Sequence, residues 1–176
     1  MQTKNTLRTT SEGAVMIAMA VAFSFVKFSI WPEGGSVDLS MIPLTVFALR
    51  HKKAWGMGAG AVFGLLDCIL GGGIAYGWQA IILDYIAAYA CVGLAGLFAD
   101  KPVLGTLTGA LARFIVHVTS GVVIWGVWMP DEFFGLAMNN VWFYSTFYNA
   151  TYMVPNAIIA VFAVTALSRA TKIFSQ

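Results

Sequence analysis

The apolar run from Leu111 to Trp128 constrains this chain more than any other stretch, because Arg113, His117, Gly121 and Trp125 recur in it every four residues. Four residues of α-helix advance roughly 400°, so these positions form one slowly turning stripe. The positions between them are mostly Phe, Ile, Val and Trp, which suit lipid or packed helices and solvate neither a guanidinium nor an imidazole. A charged side chain near a bilayer centre costs roughly 3 kcal/mol, so such residues face a bundle interior or a water-filled cavity. The run is expected to be a helix whose stripe looks inward.

Runs of this kind fill the sequence. Of 176 residues, 59% are hydrophobic and only 10% charged, and the mean hydropathy is +0.79. These values place the chain in a membrane. One span takes about 20 residues, so this length holds six with short connections and no separate soluble domain. The reading is an all-α integral membrane protein, a single domain over 1–176, with spans at 12–30, 39–49, 54–70, 78–98, 103–125 and 142–167. Lys4 and Arg8 before Ala18-Met19-Ala20 imitate a secretion signal, but the apolar run continues to Ile30, longer than such a signal needs. Cys68 and Cys91 sit in apolar runs without CxxC spacing and read as small buried hydrophobes.

Orientation follows from the basic residues. With six spans, Lys4, Arg8, Arg50, Lys52, Lys53, Lys101, Arg169 and Lys172 share one side, eight of the ten Lys and Arg, while the opposite loops carry none. Both termini are expected in the cytoplasm of a prokaryotic cell, with the chain multi-pass in its membrane. Because topology already explains these cations, nucleic acid is not expected as a partner.

Small residues repeat at the same interval of four. Ala14, Ala18 and Ala22 mark span one, and Gly56, Gly60 and Gly64 mark span three. Such stripes let helices approach closely in lipid; the alanine stripe fits an internal contact or an outward face for a partner protein. In span six, Ser145, Asn149, Tyr152 and Asn156 make one polar face, and Pro155 is expected to loosen the helix locally. Lys27 lies near the outer end of span one, positioned to snorkel or to meet a carboxylate.

This topology gathers Trp31, Tyr76, Asp84, Tyr85, His117, Trp125, Tyr144 and Asn149 toward the outer half of the bundle. One carboxylate, an imidazole, a carboxamide and several aromatic faces suit a small, flat, cationic heterocycle. A desolvated cation–π contact contributes about 2 kcal/mol. Singly, each residue has a plainer role: Trp and Tyr as an interfacial belt, Asp84 paired with Arg113 or Lys27, Asn149 as interhelical glue. Arg113, nearer the cytoplasm, reads as a structural or snorkelling cation. The chain has no GxxxxGK[ST] loop, no GxSxG elbow and no HExxH, so neither nucleotide hydrolysis nor a hydrolase is expected, and no cofactor or metal is called for. No inverted repeat marks it as a self-sufficient secondary transporter.

Taken together, the Trp31-Pro32-Glu33-Gly34-Gly35-Ser36 loop, Leu83-Asp84-Tyr85, Arg113 through His117, Ser120, Gly121 to Trp125, Tyr144 and Tyr148-Asn149 to Tyr152-Met153-Val154-Pro155 resemble the thiamine-specific substrate-binding component, or S component, of energy-coupling-factor vitamin transporters. The resemblance spans nearly the whole chain. It implies the six-helix S-component fold, with thiamine bound near the outer surface beneath the loop after span one. Trp125 would stack on the aminopyrimidine and Asp84 would hydrogen-bond it. Trp31 and His117 would flank the thiazolium, Tyr85, Tyr144 and Asn149 would complete the wall, and Gly121 would leave room. The acid in better-known members is commonly Glu, so Asp84 is one methylene shorter. The resemblance further implies docking through Ala14, Ala18 and Ala22 onto a transmembrane coupling component, or T component, driven by two cytoplasmic ATPases. Another vitamin or hydroxymethylpyrimidine as ligand, and a stand-alone small-solute facilitator, are the competing readings.

Overall fold

The computed structural model describes residues 2–29, 34–171 and 174. Five helical rods account for most of it: α1 (Gln2–Ser24), α2 (Met41–Leu70), α3 (Trp78–Phe98), α4 (Pro102–Trp128) and α5 (Val141–Ala170). Among the described residues, α2 to α5 are each long and apolar enough to cross a membrane. The protein is thus an all-α, multi-pass membrane bundle.

The second rod is not straight. Lys52 has φ 68° and ψ 172°, outside the helical region. In a straight helix Ala48 and Gly56 would lie about 12 Å apart along the axis. Here the two residues touch, so residues 41–51 and 53–70 form a helical hairpin folded at the basic turn. The first arm is almost wholly buried, from Met41 and Pro43 through Leu49, and forms the centre of the bundle. Pro43 sits in its first turn, where the missing N–H costs little.

Helix α1 packs along α2 and ends at Ser24, before the apolar run ends at Ile30. The chain then reverses: Phe28 and Val37 exchange both backbone hydrogen bonds at 2.9 Å. Asp38 caps the turn into α2 by accepting from Ser40 N at 2.8 Å. At the opposite end Glu12 takes Arg50 Nε at 2.6 Å and His51 Nε2 at 3.1 Å, fastening α1 to the hairpin turn.

Two seams set the rest. Gly56, Gly60 and Gly64 place the second arm of α2 backbone to backbone against α3; a Cβ on Gly60 would stand 2.7 Å from the Tyr89 carbonyl carbon. Helix α4 packs on α5 through side chains instead. A small hairpin, β1 (Glu132–Phe133) with β2 (Leu136–Ala137), fills the connection between them. Asn140 then caps α5 by accepting from Trp142 N at 2.8 Å and Phe143 N at 3.2 Å. Helix α5 runs through Pro155 without a break.

Candidate functional site

Wide turns interrupt α3 and α4 at the positions that the sequence marks for chemistry. Residues Ile81–Ala87 and Gly121–Trp125 are wound as π-helix. Such turns are rare and recur at functional sites, because the extra residue re-aims the side chains that follow. The first turn carries Asp84 and Tyr85, the second Gly121 and Trp125. Carbonyls at the start of the second turn are served from α5: Ser145 Oγ donates to Val118 O at 2.8 Å, and Asn149 Nδ2 approaches His117 O at 3.4 Å.

Between these turns, the end of α2 and α5 lies a cavity of about 370 Å³. Eight candidates from the sequence line it: Tyr76, Asp84, Tyr85, His117, Gly121, Trp125, Tyr144 and Asn149. Trp31 lies outside the described residues. The Asp84 carboxylate is the hub. Trp125 Nε1 donates to Oδ2 at 2.9 Å, and His117 Nδ1 stands 3.3 Å from Oδ1. On the facing wall Asn149 is equally committed, with Nδ2 donating to Ser145 O at 2.8 Å and Oδ1 accepting from the Tyr152 hydroxyl. Each carboxylate oxygen still has lone-pair capacity for a ligand.

Aromatic surface surrounds this polar centre. Tyr76 meets Trp125 edge to face at 5.5 Å between centroids, and Trp128 lies 5.6 Å from Trp125 on another side. Tyr144, Tyr148 and Tyr152 form a ladder up α5. Gly121 has a packing role alongside its place in the wall, since a Cβ there would stand 3.1 Å from Ser145 Cβ and collide with its hydroxyl.

Several lining residues lie outside the set expected from sequence. Tyr148 and Tyr152 belong to the cavity, and the spacing of α5's polar face already puts Tyr152 beside Asn149. Asp67, at the end of α2, and Lys27, after α1, bring a second carboxylate and an ammonium. Arg113, read from sequence as a cation of the packing, also reaches the cavity wall; it is only 5% exposed and lies 4.0 Å over the Tyr89 ring. Depth along the helix is a poor guide there, because insertion cost alone draws an Arg toward the headgroups.

The loop before α2 closes over one side of this space, and α5 holds it. Tyr148 Oη donates to Gly34 O at 2.8 Å, Asn156 Nδ2 to Ser36 O at 2.7 Å, and Asp38 N to Asn156 Oδ1 at 3.0 Å. Gly35, with φ 92°, needs glycine twice over, since a Cβ would also stand 2.6 Å from the Tyr152 ring. Among the described residues no three His, Cys, Asp or Glu side chains gather as a metal-ligand set. A carboxylate with open lone pairs among aromatic faces is able to hold a flat cationic heterocycle.

Residues 10–175 match the family described as Thiamine transporter protein (Thia_YuaJ). The chain is 35% identical over 166 residues to the thiamine transporter ThiT of Bacillus subtilis, covering 84% of this chain and 83% of that protein. It is 30% identical over 175 residues to the thiamine transporter ThiT of Lacticaseibacillus paracasei, covering 89% and 84%. A solved structure of ThiT from Listeria monocytogenes superposes with a TM-score of 0.84 at 22% identity, over 97% of this chain and 98% of that one, which shows the shared fold.

Proposed function

Because the chain belongs to the thiamine transporter family, we propose that it captures thiamine at the outer face of the membrane as the S component of an energy-coupling-factor importer. The observation that carries this is Asp84, a carboxylate held by Trp125 Nε1 at 2.9 Å on the wall of an aromatic cavity. Thiamine presents a permanent thiazolium cation and a flat aminopyrimidine. Aromatic faces attract the first at about 2 kcal/mol per desolvated contact, and Asp84 hydrogen-bonds the second. Trp125 stacks on the pyrimidine, His117 and Trp31 flank the thiazolium, and Tyr85, Tyr144 and Asn149 complete the polar wall. Nanomolar capture requires roughly 12 kcal/mol in all, which a few such contacts and one charge-assisted hydrogen bond approach.

Release is the task of partners. Ala14, Ala18 and Ala22 are exposed along α1 and offer a small-residue face for a transmembrane T component, whose two ATPase subunits supply the energy. In this reading α1, both arms of α2, α3, α4 and α5 make six crossings, with both termini in the cytoplasm beside the basic turns.

Titration followed by intrinsic Trp fluorescence tests the ligand. Thiamine at submicromolar concentration is expected to quench; quenching by another vitamin and none by thiamine overturns the assignment. Purified protein alone in liposomes is expected to accumulate nothing. Uptake without an ATPase partner would establish a facilitator instead.

A further inference from the structure

We propose that Arg113 is a positioning residue that keeps Nε2 of His117 unprotonated, so that with Asp84 on Nδ1 the ring is held as one neutral tautomer, and thereby fixes the way Asp84 is presented to the cavity. The imidazole has one neighbour at each ring nitrogen. Arg113 Nε lies 3.2 Å from Nε2, in line to donate, and Asp84 Oδ1 lies 3.3 Å from Nδ1. A guanidinium has donors only, so Nε2 must offer its lone pair. The ring proton therefore sits on Nδ1, pointing at the carboxylate. With Trp125 donating to the other oxygen at 2.9 Å, the chain Arg113 to His117 to Asp84 has every proton assigned, and Asp84 receives a donor on each side.

Arg113 is placed for this rather than for an ion pair. It lies four residues before His117 on one helix face, the spacing at which side chains meet. Its guanidinium is fixed over the Tyr89 ring at 4.0 Å. Among the described residues no carboxylate forms an ion pair with it, and its buried Nη1 has no hydrogen-bond partner. Asp84, an acceptor, keeps the proton on Nδ1 in either case; without the Nε donor nothing holds Nε2 as an acceptor, and it is free to take a proton of its own.

Two substitutions separate the donated hydrogen bond from the charge. Gln carries Nε2 as many bonds from Cα as Arg carries Nε; Met matches the length and has no N–H. The measurement is ¹⁵N NMR of the histidine ring in ligand-free protein in nanodiscs, the His117 signal being the one that His117→Gln removes. Wild type and Arg113→Gln are expected to show a protonated Nδ1 and a bare Nε2, and Arg113→Met to lose that pattern. Thiamine affinity, which rests on the proposed function, is expected to fall about tenfold in Arg113→Met and to be largely restored in Arg113→Gln. A wild-type proton on Nε2, an unchanged ring in Arg113→Met, or equal affinity losses in both variants would overturn the assignment. The spectrum is read without ligand, so failure of wild type to bind thiamine strikes the functional reading alone.

Discussion

Gly56, Gly60 and Gly64 on α2 and His117, Gly121 and Trp125 on α4 repeat at the same interval, yet the first set closes a seam and the second lines a cavity. Along α2 nothing stands between the helix and the carbonyls of Tyr85 and Tyr89, and the backbones touch. Of the three α4 residues only Gly121 permits close approach, and on either side of it an imidazole and an indole hold space open toward Asp84. In lipid, where packing replaces the hydrophobic effect between helices, the dry seam supplies rigidity. The rigid seam also positions α3, the helix that carries Asp84, so the cavity is built on it.

The sharpest way to break this contrast is Gly60→Ala. One methyl directed at the Tyr89 backbone has no flexible side chain to displace, so α2 and α3 must part, at an expected cost of about 3 kcal/mol. Thermal unfolding in detergent, followed by Trp fluorescence, measures it; an unshifted midpoint would show that the seam is slack. Next in size is Asp84→Asn, on the cavity side. The fold is expected to survive, while thiamine binding weakens by about 2 kcal/mol, roughly 30-fold, as a charge-assisted hydrogen bond becomes a neutral one. Equal affinity would remove Asp84 from the site.

The α4–α5 contact sits between these extremes and relies on polar glue. Ser145→Ala removes the 2.8 Å bond to Val118 O without adding volume against Gly121. A loss of about 1 kcal/mol in unfolding free energy is expected. No loss would mean that the carbonyl at the start of the π turn is served as well by water from the cavity.

Spacing by itself makes both stripes legible, because small or polar residues every four positions in apolar sequence must share a helix face. Spacing also sets Tyr152 beside Asn149. Charge rather than spacing marks where α2 doubles back: the basic residues Arg50 to Lys53 separate the spans expected at 39–49 and 54–70, and Lys52 among them takes a positive φ with no glycine or proline beside it. Spacing does not reveal the π turns at Ile81–Ala87 and Gly121–Trp125, the second of which begins where another helix makes contact: Ser145 Oγ donates to Val118 O and Asn149 Nδ2 approaches His117 O. The place of Arg113 in the cavity wall escapes it for a related reason. The cost of that cation in lipid follows from residue type, whereas the ring of Tyr89 and the imidazole of His117 that accommodate it are supplied by tertiary structure.

Gly58 gives the contrast its control. It lies on α2 between Gly56 and Gly60, but on the exposed face, where an added Cβ meets nothing within 4 Å. Gly58→Ala therefore adds no clash and restricts the unfolded backbone, so a gain of about 0.5 kcal/mol is expected, opposite in sign to Gly60→Ala. The same unfolding midpoint reads both. If Gly58→Ala destabilises as much as Gly60→Ala, the penalty belongs to glycine replacement anywhere on this helix, and the seam with α3 has no special standing. If the two diverge as expected, close approach of the Tyr89 backbone is the cause, and the stripe's interval of four matters only on the face that meets α3.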